Sequence, residues 1–375
     1  MSAMNRFLKS SAIIVAATVG SGEFALPFIF YRAGWLLTLF YFVTLGALVV
    51  AAHAIYFKTL QTVGEHERLL GLARRYLGAS GFWVGFLAIV IGLLLGFVIF
   101  LILGTQFLRL IFPALSYFPA LILFWLIIAI PALVSNRRAV AFERMSVALT
   151  AAIVVIVFIF SWLSPGVARA VPMVDVNNLF LPFGVVLFAI AGWTGVEPLY
   201  ESLKEKKSFI WLLASGTVVA ALLYILFAAG IIHSAPQVAS DTISGLIASG
   251  AGVWPAWEKD LVALLGLIAI STCSAPISHE IRNALEKDLH WSPAIARLII
   301  IGLPLAAVLS GFNNFLTAVA ITGGVFLSTQ YLLIVAVGRR ALAPILAPAQ
   351  KFAMDALALV FAAVAVYSVW AFVVK

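Results

Sequence analysis

Two carboxylates sit where a membrane helix ordinarily carries none. Glu23 lies in Ala16–Pro27, AATVGSGEFALP, together with Gly20, Gly22 and Pro27. Glu197 lies in Ala191–Pro198, AGWTGVEP, together with Gly192, Gly195 and Pro198. Both windows fall inside long apolar runs. A proline at position i removes the hydrogen bond to the carbonyl at i−4. Pro27 therefore frees the carbonyl of Glu23, and Pro198 frees that of Thr194. Glycine weakens the helix further. The backbone is expected to unwind at Val19–Glu23 and at Gly192–Glu197. In hydrocarbon the bared peptide groups must be met by protein, water or a ligand. The chemistry on offer is binding: amides for an anion, carbonyls for a cation, and a carboxylate that can take up a proton.

An intramembrane charge costs roughly 2.5–3.5 kcal/mol on insertion scales, so both carboxylates are functional candidates. The structural alternative is that each caps the N-terminus of a half-helix, worth about 0.3–1 kcal/mol. For Glu197, near the end of its span, an ion pair with Lys204 is a further alternative. Glu23 lies deeper. It is expected to be charged when water reaches it and neutral when the site closes. A charged Glu23 would repel an incoming carboxylate, and protonation would remove that repulsion. Proton and solute would then bind cooperatively.

The elements that hold these residues follow from composition. The 375 residues are 64% hydrophobic and 10% charged, with a mean hydropathy of +1.15. Soluble globules are about 45–50% apolar and about 25% charged. The chain reads as an all-α polytopic membrane protein. About 20 apolar residues cross a bilayer, and spans are expected near 9–31, 34–57, 81–105, 118–135, 145–163, 179–203, 209–232, 260–281, 294–310, 315–337 and 352–374. Residues 298–338 contain no charge, and Ser310–Asn314, SGFNN, supplies the turn that divides them. With the N-terminus inside, 18 of the 23 Lys and Arg fall on the inner side. That predicts a cytoplasmic N-terminus and an outer C-terminus. The net charge of +8 is thus an orientation signal and a fit to anionic lipid, not a nucleic-acid site. Residues 65–77, EHERLLGLARRYL, read as a short amphipathic helix on the cytoplasmic surface, with Leu69, Leu70, Ala73, Tyr76 and Leu77 on one face.

Glu23 and Glu197 are five spans apart, so their spans run in opposite directions. Paired interruptions in two inverted halves point to a transporter site at the repeat interface. One domain is expected, with inverted repeats at about 9–163 and 179–337 and an accessory span at about 352–374.

Ala17–Trp35, ATVGSGEFALPFIFYRAGW, resembles the first-span signature of the amino acid/auxin permease group within the amino acid-polyamine-organocation superfamily. Within that group it is similar to bacterial hydroxy and aromatic amino acid permeases. The pattern is a Gly-small-Gly turn, an apolar residue, Phe-Ala-Leu-Pro, and a short segment ending Ala-Gly. The eleven spans and the loop LLGLARRYLG agree with it. The resemblance implies a leucine-transporter fold, with five-plus-five inverted repeats, broken spans 1 and 6, and an eleventh span. It implies secondary active transport of an amino acid across the plasma or inner membrane. The substrate carboxylate would meet the amides of Gly20, Ser21 and Gly22. The ammonium would meet carbonyls near Thr18 and at Ala189–Trp193, with Ala189, Gly192, Trp193 and Thr194 lining the site and Trp193 as wall or gate. The departure is Glu23, where the family has an apolar residue such as Met or Ile.

Proton coupling through Glu23 and Glu197 is the expected driver, for symport of aromatic or other neutral amino acids. Sodium is the rival. Span 8 reads ISTCSAPISHE, and Ser271 and Thr272 with the carbonyl of Val19 would supply hard oxygen ligands. The same fold could instead serve a ligand-sensing receptor subunit, or carry an organic cation with Glu23 as counter-ion. His53 and His279 read as interfacial or packing residues. No zinc spacing, phosphate-binding loop or nucleophile–His–Asp set is present, so no enzyme, metal centre or cofactor is expected. The expected partners are a small amino acid and the bilayer, with no nucleic acid and no obligatory protein.

Overall fold

The computed structural model describes residues 3–64, 68–133, 136–164, 166, 170–203, 209–235, 238–239, 241 and 256–374. Among them the chain is helical, with no strand. The loop 234–257 and Lys204, Lys206 and Lys207 lie largely or wholly outside the described residues.

The first expected span is split. Helix α1 (Ala3–Thr18) stops at Thr18, a 3-10 turn follows at Ser21–Phe24, and α2 (Leu26–Ala33) resumes with Pro27 in its first turn. Gly20, before the turn, is fully extended at φ −162° and ψ −145°. Gly34 then takes φ +98°, which only glycine adopts freely, and a Cβ there would fall 2.6 Å from the carbonyl oxygen of Met173. Helix α3 (Trp35–Val63) runs unbroken.

Helix α4 (Leu69–Phe86) contains a sharp turn at Gly78, φ +77°, so its first half is the separate short helix that the sequence predicts. That half does not simply rest on a lipid surface, however. Leu69, Leu70, Leu72 and Ala73 are buried inside the protein. A π-turn at Leu87–Ile91 leads into α5 (Gly92–Ile111). Helices α6 (Tyr117–Leu133) and α7 (Asn136–Leu163) follow.

The second split repeats the first. Helix α8 (Leu181–Ile190) ends before an extended Ala191, φ −71° and ψ 115°. A 3-10 turn occupies Trp193–Gly195 and α9 (Val196–Ser202) resumes. Helix α10 (Phe209–Ser234) packs along α1 and α7. Then come α11 (Ala256–Asn283), α12 (Pro293–Leu309), α13 (Phe315–Ile321), a π-turn at Thr322–Leu327, α14 (Ser328–Ala341) and α15 (Pro348–Val374). The expected turn at 310–314 is present, with Gly311 at φ +99°. Asn314 caps α13 by accepting from the Thr317 amide at 2.9 Å.

Every one of the eleven expected runs contains helix. Among the described residues six helical segments are long and apolar enough to cross a membrane: Trp35–Val63, Leu69–Ile111, Leu181–Ser202, Phe209–Ser234, Phe315–Ala341 and Pro348–Val374. Tyr117–Ile130, Ala148–Leu163 and Pro293–Leu309 are apolar but shorter. The first run falls short because its break leaves two separate pieces.

Candidate functional site

The two breaks meet. Gly22 lies against Ala189 of α8, so closely that a Cβ would fall 2.7 Å from the Ala189 Cα. Gly195 faces Ala17, where a Cβ would fall 2.7 Å from the Ala17 Cβ. Gly192 sits against the Thr18 hydroxyl. Small residues are needed here because two backbones approach with no side chain between them.

Tyr224 of α10 joins the windows. Its hydroxyl is 2.7 Å from the Thr18 carbonyl and 3.0 Å from the Ala189 carbonyl, and it accepts from the Gly20 amide at 3.3 Å. One hydroxyl has one proton to donate, so the two carbonyls compete for it. One of them keeps unspent acceptor capacity. The second break has its own tyrosine. Tyr331 of α14 lies within electrostatic range of the Gly192 backbone, and its hydroxyl is 3.1 Å from Nε2 of His53. His53 is therefore a buried partner of the site's frame rather than an interfacial residue.

A cavity of about 90 Å³ opens at the junction. Thr18, Gly20, Ser21, Gly22, Trp193 and Thr194 line it, as the sequence predicts. From elsewhere come Gly96 and Phe100 of α5, Phe188, Cys273, Ile277, Thr322 and Gln330. No charged side chain is among the lining residues. Trp193 donates its indole N–H to Oε1 of Gln330 at 2.6 Å, and Gln330 donates to the Ala88 carbonyl at 2.8 Å. That carbonyl lies in the π-turn before α5. The Ser21 hydroxyl is 2% exposed and has no hydrogen-bond partner among the described residues.

Three of the expected substrate-binding residues, Glu23, Ala189 and Gly192, do not line the cavity. Glu23 sits in the turn at Ser21–Phe24 but outside the cavity lining, and its neighbour Phe24 packs edge-on against Phe107 and Phe227. Ala189 and Gly192 are consumed by backbone packing. The Val19 carbonyl accepts from the Cys273 thiol at 3.2 Å. Of the other expected sodium ligands, Ser271 lies away from the cavity lining and offers its carbonyl to the Ser274 hydroxyl at 2.7 Å. The side chain of Thr272 is outside the described residues.

Glu23 is 0% exposed, and neither carboxylate oxygen has a hydrogen-bond partner among the described residues. Glu197 is different. It accepts from the Tyr56 hydroxyl and lies 3.9 Å from Arg68. Arg68 also reaches Glu280 at 3.2 Å and lies 3.5 Å from Nε2 of His279. The expected partner Lys204 lies outside the described residues, and the cation seen beside Glu197, Arg68, is more than a hundred residues distant in sequence.

The sequence matches, over residues 5–231, the family described as transmembrane amino acid transporter protein. The chain belongs to that family. Both breaks and most of α10 lie within the matched region. No curated protein matches the chain. This is a multi-pass membrane transporter for amino acids, not an enzyme.

Tyr224, Tyr331 and Gln330 are the transporter's site residues that sequence reasoning misses. Gln330 carried a signal: an amide within the apolar run that follows the 310–314 turn calls for a partner inside the membrane. The tyrosines carried none.

Proposed function

We propose that this transporter is a proton-coupled symporter of neutral amino acids, working by alternating access on a leucine-transporter-type inverted repeat with eleven crossings. The N-terminus is cytoplasmic in this reading. The observation that carries it is the meeting of two broken helices at one cavity free of charged side chains.

The substrate carboxylate goes to the first break. The leading amides of the turn at Ser21 have no partner within their own turn. The Ser21 hydroxyl adds a donor. The ammonium takes the carbonyl that Tyr224 leaves short of a proton, at Thr18 or Ala189. Trp193, held by Gln330, walls the other side.

Glu23 couples the proton. An isolated ionised carboxylate in a dry interior costs several kcal/mol, whereas the neutral acid does not. A protonated Glu23 also ceases to repel the substrate carboxylate. Coupling of about 1–3 kcal/mol, or roughly 5–150-fold in affinity, is the ordinary size of such linkage. The Val19 carbonyl that a sodium ion would draw on accepts from the Cys273 thiol, and Ser271 lies away from the cavity lining, which favours the proton as driver. The Arg68–Glu197–Glu280 cluster lies on the cytoplasmic side in this orientation. It closes that side until spans 1, 2, 6 and 7 rock against spans 3, 4, 8 and 9.

The test uses purified protein in liposomes, with an inward proton gradient and labelled neutral amino acids. The wild type should accumulate substrate and lose accumulation with a protonophore. Glu23→Gln should lose gradient-driven accumulation and keep counterflow. Unchanged accumulation in Glu23→Gln would remove the coupling role.

A further inference from the structure

We propose that Gly96 sets the largest substrate side chain that this transporter accepts, by leaving open the apolar end of the cavity. The inference rests on the reading of the cavity as the amino acid site. Helix α5 presents Gly92, Gly96 and Phe100 at intervals of four, on one face, and all three line the cavity.

The two glycines are not equivalent. At Gly92 a Cβ would fall 2.7 Å from the Phe326 Cβ and 2.9 Å from Nε2 of Gln330. That glycine is required by packing. At Gly96 the nearest atom is Cδ1 of Ile277, at 3.8 Å, which is ordinary contact. Its φ is not positive either. Neither sterics nor backbone demands glycine there, and glycine weakens a helix interior relative to alanine. What its missing side chain provides is room in the cavity.

That room is apolar, bounded by Phe100 and Ile277. Another part of the lining is polar. There the Ser21 hydroxyl, 2% exposed and without a partner among the described residues, lines the same cavity. An unsatisfied buried hydroxyl calls for a polar group to meet it. A lining with both a polar and an apolar part suits a zwitterion with a neutral, apolar side chain. The side chain lies over Gly96, and the glycine determines how bulky it can be.

The test is a set of binding constants for alanine, leucine, phenylalanine and tryptophan, measured by calorimetry on wild type, Gly96→Ala, Gly96→Val and Ile277→Ala. The readout is the ratio of affinity for the largest amino acid that the wild type binds to affinity for alanine. One methylene in an apolar pocket changes affinity by roughly 10–200-fold. The ratio should fall about tenfold in Gly96→Ala, fall further in Gly96→Val, and rise in Ile277→Ala. A ratio that holds or rises in the Gly96 variants overturns the proposal. If those variants do not fold, an unchanged or falling ratio in Ile277→Ala overturns it. Wild type binding no amino acid at all overturns the underlying reading as well, and so separates the two failures.

Discussion

The two breaks share a design and differ in company. Each sets a carboxylate beside glycine and ahead of a proline, and each meets a tyrosine from a distant helix. Tyr224 lies within electrostatic range of Glu23, and Tyr56 donates to Glu197. Yet Glu23 is 0% exposed with both oxygens unpartnered among the described residues. The Glu197 side chain is 15% exposed and faces a guanidinium. Local sequence chemistry makes a break, and the surroundings decide what its carboxylate can do. A carboxylate held by Arg68 and Tyr56 can stay charged and anchor a closed end. One with no partner is tolerable only with a proton, so its charge must change when water arrives.

The sharpest test of this contrast sets Glu23→Gln beside Glu197→Gln in the same liposomes. Glu23→Gln should abolish proton-driven accumulation. Glu197→Gln should slow transport several-fold but still reach an accumulated steady state. Equal loss in both would erase the distinction between the two sites.

The tyrosines give the next largest effect. Tyr224→Phe leaves the Gly20 amide and two carbonyls without their hydroxyl. An orphaned buried polar group costs about 1–3 kcal/mol, so amino acid affinity should drop about 10–100-fold. Tyr56→Phe removes one bond from a carboxylate that still faces Arg68, and affinity should change by less than about threefold. Titration calorimetry separates them, and a larger loss in Tyr56→Phe would reverse the assignment.

Arg68→Ala should have a smaller effect. It leaves Glu197 and Glu280 without their shared cation. Because the Arg68 side chain is 30% exposed, solvent screening limits the loss to about 1 kcal/mol. The thermal midpoint should fall by a few degrees, and Arg68→Lys should recover part of it. A midpoint unchanged in Arg68→Ala would mean that the cluster holds nothing closed.

The smallest effect concerns the sole cysteine. Cys273 is 8% exposed, lines the cavity and touches the first break. A small thiol reagent should label it slowly, and saturating substrate should slow labelling several-fold further. Labelling indifferent to substrate would put the amino acid away from the first break.

The sequence alone located both breaks, because glycine and proline act on the backbone within a few residues of themselves. It determined the helical, membrane-spanning character through composition, and the 310–314 turn through its Gly and Asn residues. The resemblance of the first span to a permease family marked Ser21 and Trp193 as site residues. Tertiary structure decided the rest. Only the fold brings Tyr224 onto the Thr18 carbonyl and Gln330 onto Trp193, contacts that span 206 and 137 residues. In a chain with nine tyrosines, nothing local distinguishes the one at 224. A cation beside Glu197 likewise comes from far along the chain, where packing of the short helix before Gly78 delivers Arg68. Whether a buried carboxylate has a partner depends on which elements pack around it, and that is a property of the assembled helices.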